Sequence, residues 1–559
     1  MQKKYSIGVD YGSNSVRALV VDITNGRELG SCVHNYESGE AGIILDKKNP
    51  HVARQNPADY VKGLEVTVCK ALKEAEKVKG FKREDVIGIG VDTTGSTPIP
   101  VNKEGIPLSM LPEFKNNINA LAWLWKDHTG MEEAAELTAL ATKMKKPYLG
   151  KCGGIYSSEW FFSKVLHCLR IDRKVFDAAF SWVELCDYVP AVLTGNTDPL
   201  TIKRSVCAAG HKTMFNPALG GLPPKDFLKK LDSKLADLRD RLYDEAFPSG
   251  VKMGNLSPKW ADTFGLSTEV AISVGAFDAH MGAVGSGIKP GTLVKIIGTS
   301  TCDTLVFPSS KKLKDIKGIC GIVNGSILPG YYGLEAGQSA VGDIFNWFVG
   351  FMGNKNLHEI YTKEADKLKP GESGLMALDW NNGNRTVLVD PKLTGLLVGQ
   401  TLHTKPYEVY RALVEATAFG ARVIVDRFEE YGVKVEEVVN CGGIAEKNPM
   451  FMQIYADIFN RPMKISRSSQ TCALGAAIFG SVAAGKVNGG YDRTEEAQKS
   501  MTGLKTRVYR PIKKNVAVYA KLFKIYKQLH DGFGGVECRD MGIVMKELLK
   551  IKQQMTNNE

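Results

Sequence analysis

The sequence predicts an α/β protein of two domains, on three observations. At 559 residues it exceeds what one hydrophobic core usually organises. Strand-like runs rich in β-branched residues alternate with longer stretches of helical periodicity. Two similar strand–turn–strand units recur, one near the start of each half, which points to a duplicated architecture.

The first unit comprises residues 5–9 and 18–22, separated by Tyr11-Gly12-Ser13-Asn14-Ser15, whose composition is that of a hairpin turn. Residues 58–77 and 157–170 carry helical spacing, and residues 86–91 and 270–274 read as buried strands. A boundary near residues 287–290 divides the chain into a domain of residues 1–288 and another of residues 289–559. The second unit opens the latter: residues 293–297 and 304–307 flank Gly298-Thr299-Ser300-Thr301. Beyond it, residues 406–431 have the length and apolar spacing of a helix, residues 437–441 form a short buried strand, and residues 472–484 form a small-residue helix. Past Tyr509 the chain is rich in Lys, with Val516, Tyr519, Leu522, Phe523 and Tyr526 at helical spacing, which predicts terminal surface helices.

Composition excludes several classes. Hydrophobic residues at 43% and charged residues at 24% describe an ordinary globular chain. No apolar N-terminal stretch leads to a cleavage site, and no segment reaches the roughly twenty apolar residues of a membrane helix. The 11 cysteines are scattered, with no Cys-x-x-Cys pair, and read as reduced thiols of a cytoplasmic protein. The net charge of +11 comes from bases interleaved with acids, as in Lys82-Arg83-Glu84-Asp85, so a solvated surface is favoured over nucleic-acid binding.

Three glycine-rich sites carry the chemistry. In the first turn, Asp10 stands at a strand end before Gly12, Ser13, Asn14 and Ser15. Exposed amides and hydroxyls there suit polyphosphate oxygens, and Asp10 suits Mg2+ held through water; an ordinary hairpin turn is the alternative. Gly298, Thr299 and Ser300 repeat the pattern. The third site is Gly442-Gly443, running through Asn448-Pro449 after the strand at 437–441, where paired glycines admit a flat ligand close to the backbone. Gly480-Ser481-Val482-Ala483-Ala484-Gly485-Lys486-Val487 approaches a P-loop, but Val487 replaces the required hydroxyl, and Gly485 is better read as a helix C-cap.

In this order the three sites resemble the sugar kinase, Hsp70 and actin superfamily. That resemblance implies two actin-like (ribonuclease H-like) domains with an interdomain catalytic cleft. Tyr156 through Lys164, and Gly442-Gly443 through Gln453 to Asp457, resemble the two signature regions of the FGGY carbohydrate kinase family. The implied cofactors are ATP and Mg2+. Within Gly275-Ala276-Phe277-Asp278-Ala279-His280, Asp278 matches the family's catalytic base, a role that a carboxylate at a strand end can fill; a helix N-cap is the compatible alternative. His280 reads as a structural imidazole.

Residues 90–98, 111–114, 124–129 and 208–212 are similar to the L-ribulose-phosphorylating branch of the family rather than to its glycerol or xylulose kinases. Another FGGY kinase, acting on D-ribulose, xylulose or a related polyol, is the nearest alternative. By resemblance the sugar pocket uses Ser96, Lys212, Asp278 and Glu335. Lys212 read alone could be a surface lysine, and Trp125 suits a pocket wall or a core equally. A chaperone-like ATPase is the rival from another class, and it needs no polyol pocket. No membrane or nucleic-acid partner is expected, and a homodimer is the assembly to test for.

Overall fold

The computed structural model describes residues 3–353 and 356–536. Two mixed sheets organise it. In the first, β1 (Tyr5–Tyr11) and β2 (Ser15–Asp22) form the antiparallel hairpin, and β3 (Arg27–Asn35) continues it on the β2 side. On the other side β4 (Val86–Thr93) runs parallel to β1, followed by β5 (Ala271–Ser273), also parallel, with β6 (Ala276–Phe277) alongside the end of β4. A short antiparallel strand at Lys252–Asn255 completes the edge.

The second sheet repeats the plan. Strands β7 (Thr292–Ile297) and β8 (Thr301–Pro308) form its hairpin, and β9 (Tyr331–Ala336) lies antiparallel to β8. Strand β10 (Glu437–Cys441) is parallel to β7, and β11 (Met463–Ile465) is parallel to β10. Each half therefore has the spatial order third, second, first, fourth, fifth, with an extra antiparallel edge strand in each, Lys252–Asn255 beyond the fifth in the first and Gly321–Asn324 beyond the third in the second. The duplication inferred from two hairpins extends to whole sheets.

The hairpin strands are buried along nearly their whole length, β1 and β4 without interruption. Burial on both faces explains their near-continuous apolar runs. One face of the first sheet is covered by α1 (Pro57–Glu76), whose Asn56 caps it through the Ala58 amide. The other face is covered by a helix from far along the chain, Thr471–Ala484. It lies on Gly8, Gly88 and Gly90, where an added Cβ would fall within 2.0 Å of the helix carbonyls of Ala473, Gly480 and Ala476. Absent side chains let the helix backbone approach the sheet. Buried Ser6 secures the contact by donating to the Ala477 carbonyl at 2.7 Å. This helix ends at Gly485, whose φ of +72° confirms a C-cap in place of a P-loop.

The same helix crosses α2 (Asp278–Gly285) at a second glycine contact. A Cβ on Gly285 would lie 2.0 Å from the Thr471 carbonyl oxygen, and one on Gly475 would lie 1.9 Å from that of Met281. Two sequence expectations change. The helix expected over 157–170 begins only at Phe161, because Trp160 keeps an extended backbone. The terminal helix, Lys513–Phe533, is no surface element: Tyr519 and Tyr526 are fully buried in the core of the second half. Among the described residues, no helix is long and apolar enough to cross a membrane.

Candidate functional site

The parallel register of β1 and β4 sets Asp10 directly beside Asp92, and β6 brings Phe277 beside Thr93, so Asp278 follows at the same end of the sheet. Three carboxylates thereby meet where three strands stop. Asp92 is fully buried, and neither of its oxygens has a hydrogen-bond partner. Burial raises its pKa well above the ordinary value, and the charges of Asp10 and Asp278 add to the effect. Burial also raises Asp10, which Arg17 partly offsets from 3.3 Å. Oxygen donors left unpaired in a dry site suit a hard divalent cation, and Asp10 and Asp92, with Cys472 close by, converge as such a group would require. The second hairpin differs: there Asp303 is neutralised by Lys295 at 2.8 Å, both fully buried, which leaves no charge for a cation.

Asp278 is the first residue of α2 and is half-buried, and its Oδ1 accepts a hydrogen bond from the Ala279 amide at 2.7 Å. Burial, reinforced by Asp10, pushes its pKa up to about 7. The cap position itself falls to Phe277, so the N-cap alternative does not describe Asp278.

A polar cluster stands beside this carboxylate. The helix Val206–Lys212 ends on Lys212, which is 6% exposed and donates to Glu335 Oε1 at 3.2 Å. This lysine is no surface residue. Its ammonium lies 5.4 Å from the Trp160 ring centre and 5.6 Å from that of Phe277, the residue preceding Asp278. Burial opposes its charge, but Glu335 holds its pKa above the ordinary value. Burial alone would raise Glu335; Lys212, His280 and His211 together hold it well below the usual carboxylate range. Glu335 comes from β9 in the second sheet, so the cluster joins the two halves.

Ser96 is buried against this region with both ends engaged. Its hydroxyl donates to Glu184, and its carbonyl accepts from Lys164 at 2.8 Å. Lys164 also donates to the carbonyls of Trp123 and Leu124. The Ser96 side chain is thus committed to the frame of the loop. Gly95 beside it admits the Phe277 ring, which a Cβ would meet at 1.8 Å.

The three glycine-rich turns are accessible. In the first, the Gly12 amide donates to the Ser15 carbonyl at 2.9 Å, and Asn14 is exposed. Trp125 donates its indole N–H to Ser13 Oγ at 3.0 Å, tying the segment at 124–129 to this turn. In the second, Gly298 and Thr299 are exposed, and the Gly298 amide donates to the Ser300 carbonyl at 2.9 Å. In the third, Gly442 has a φ of +99°, and its missing Cβ would strike the Ile297 carbonyl at 2.1 Å, so glycine is required there. Gly443 is exposed and faces open space. Asn448 accepts from the Phe451 amide at 3.0 Å and so caps the helix Pro449–Phe459, leaving its NH2 group for any ligand contact.

Sequence reasoning overlooked Asp92 as a site carboxylate, although a signal was present. Gly8-Val9-Asp10 and Gly90-Val91-Asp92 are the same tripeptide at the ends of two strands. His211, buried beside Glu335, and Lys164, beneath Ser96, had no comparable signal.

Comparison with known proteins agrees with this architecture. Residues 5–285 match the N-terminal domain, and residues 293–484 the C-terminal domain, of the FGGY family of carbohydrate kinases. A ribulokinase of Halalkalibacterium halodurans is 42% identical over 569 aligned positions, covering 99% of this chain and 98% of the relative. The ribulokinase of Geobacillus thermodenitrificans is 42% identical with the same coverage. Among solved structures, a xylulose kinase from Rhodospirillum rubrum superposes with a TM-score of 0.77 at 20% identity, over 95% of this chain and 99% of that one. A Plasmodium falciparum glycerol kinase solved with ADP gives 0.74 at 16% identity, over 94% and 98%. At such identities the structures establish the shared fold.

Proposed function

Because the chain belongs to the FGGY family of carbohydrate kinases, we propose that it transfers the γ-phosphoryl group of ATP to L-ribulose, giving L-ribulose 5-phosphate, in the cytoplasmic catabolism of L-arabinose. The observation that carries this reading is Asp278, a half-buried carboxylate pushed up to about 7, with the carboxylates of Asp10 and unpaired Asp92 on one side and a Lys–Glu–His cluster on the other. A base of that pKa accepts a hydroxyl proton near neutral pH. The sugar kinase relatives and the family both support ATP and a sugar as substrates.

In this reading the domain of residues 1–288 supplies the first phosphate turn, the base and most of the sugar pocket. The domain of residues 289–559 supplies the second phosphate turn, the adenosine loop and Glu335. Lys212 and Glu335 orient the sugar through groups that the wrong stereoisomer would leave unpaired. Asp278 takes the proton of the attacking hydroxyl. The Gly12 and Gly298 amides close their hairpins, and the remaining amides and hydroxyls of the turns Gly12 to Ser15 and Gly298 to Ser300 bind triphosphate oxygens; Gly442 and Gly443 let the adenosine lie against the backbone, with Asn448 at its edge. Asp10, through water, and Asp92 would hold Mg2+, which when bound neutralises charge on the phosphates. The helix Thr471–Ala484 belongs to the second half by sequence but packs on the first sheet, and so ties the two together.

A coupled ADP-release assay across ketopentoses and glycerol tests the proposal, with phosphorus NMR of the product. L-ribulose is expected to give the highest kcat/KM and a 5-phosphate. A preference for D-xylulose or glycerol would overturn the substrate while leaving the phosphotransferase intact.

A further inference from the structure

His211 and His280 are 0% and 1% exposed, and their ring centres lie 4.6 Å apart, tilted 58° to one another, where the two halves meet. Each has one nitrogen engaged and one without a hydrogen-bond partner. His211 Nε2 meets Ser326 Oγ at 3.1 Å, and His280 Nδ1 meets Cys207 Sγ at 2.7 Å. The unpartnered atoms are His211 Nδ1 and His280 Nε2, and both aim at one oxygen, Glu335 Oε2, at 3.5 and 3.2 Å. The three donor atoms lie within 4.8 Å of one another. A tetrahedral Zn2+ at about 2.0–2.1 Å from its ligands sets them about 3.3 Å apart, which the two imidazole–carboxylate distances approach. Outer partners on the far nitrogens fix each ring, as is usual for metal-bound imidazoles. Gly321 gives the room, since a Cβ there would lie 1.9 Å from His211 Nδ1.

We propose that His211, His280 and Glu335 form a binding site for a divalent transition-metal cation of the zinc class, bridging the two halves of the molecule. Two imidazole nitrogens and one carboxylate select Zn2+, Co2+ or Ni2+ over Mg2+, which prefers oxygen donors throughout. The site is distinct from the Asp10–Asp92 pair. Lys212 occupies the other oxygen of Glu335, Oε1, at 3.2 Å and leaves Oε2 to the cation, while its positive charge weakens binding. Since Glu335 also serves the sugar in the reading above, occupancy makes the cation an inhibitor that competes with the sugar.

The test uses the chelator-treated full chain, with nucleotide omitted so that cation–phosphate complexes do not form. Calorimetric titration with Zn2+ is expected to show one equivalent bound. His211→Gln, His280→Gln and the outer-partner variant Cys207→Ala should each weaken it about 10–100-fold. Co2+ added to the unmutated protein should give the intense visible bands of four-coordination, a readout that does not depend on the variants folding. No binding of Zn2+, equal affinity in all three variants, or a weak six-coordinate Co2+ spectrum would each overturn the site. Repeating a sugar titration with one equivalent of Zn2+ separates the two readings. Tight, His-dependent Zn2+ binding with unchanged sugar affinity keeps the cation site and removes Glu335 from the sugar pocket. Sugar phosphorylation without Zn2+ binding does the reverse.

Discussion

Asp278→Asn keeps the shape of the side chain and the hydrogen bond its Oδ1 accepts from Ala279, but removes the charge and the ability to take a proton. Loss of a general base costs about 10²–10⁴ in rate, or roughly 3–5 kcal/mol of barrier. Stability should move the other way. The carboxyl is held at about 7 against an ordinary 3.8, a gap of about three pH units. At about 1.36 kcal/mol each this is roughly 4 kcal/mol, and partial exposure reduces it to about 1–2 kcal/mol. The sign follows from linkage. With the folded pKa raised, the folded state binds the extra proton between pH 3.8 and about 7, so the ionised carboxylate destabilises it fully above 7. The variant should therefore unfold at a higher temperature than the unmutated protein at pH 8 and at nearly the same temperature at pH 4. Single-turnover transfer with saturating L-ribulose and MgATP isolates the chemical step, and thermal unfolding at the two pH values reads the stability. A variant within threefold of the normal rate, or one less stable at pH 8, would refute the assignment of Asp278 as a base in a repulsive site.

Four further outcomes are expected. In the unmutated enzyme, kcat/KM for the sugar should fall as pH drops below about 7, because the protonated Asp278 cannot accept the hydroxyl proton; a flat profile from pH 5.5 to 8.5 would contradict this. Gly443→Val should weaken ATP binding while sparing sugar binding, since its side chain would occupy the open space before the loop; calorimetry that found equal losses for both ligands would make the glycine structural. Lys212→Met leaves Glu335 with only its imidazole neighbours and should cost about 3 kcal/mol in urea unfolding, as broken buried pairs do, and raise the KM for L-ribulose more than it lowers kcat; an unchanged KM would remove Lys212 from the pocket. Sugar and nucleotide together should compact the particle in small-angle scattering, because in the proposed function turns on both halves address one triphosphate; identical curves in all states would indicate a preformed cleft.

The parts of the fold that could be read from sequence are those set by short-range rules. The hairpins announce themselves by β-branched runs around small hydroxylic turns, and residues 437–441 were bounded as the structure has them because a short apolar run stops at paired glycines. Helical spacing extends over 157–170, but the helix starts only at Phe161, because Trp160 is buried in an extended conformation by contacts distant in sequence. The terminal helix looked amphipathic and lysine-rich, and nothing local reveals that Tyr519 reaches Glu415 across 104 residues. The site divides similarly. Asp10, Asp278 and the turns lie on motifs, but the meeting of Glu335 with His211 and His280 depends on how two sheets face each other, which no spacing within one strand encodes.

The crossing of α2 with the helix Thr471–Ala484 has a mechanical meaning. Most helix pairs interlock through side-chain ridges, which resist rotation because each knob must leave its groove. At Gly285 and Gly475 backbone rests on backbone, so the contact resembles two smooth rods touching at a point. Such a joint is tight against separation but offers few obstacles to swivelling. One of the rods begins at Asp278, and the other lies flat on the strands that carry Asp10 and Asp92. Since Phe277 is pinned beside Thr93 on that same sheet, the point contact lets α2 settle against its neighbour without side-chain ridges dictating where Asp278 stands relative to Asp10 and Asp92.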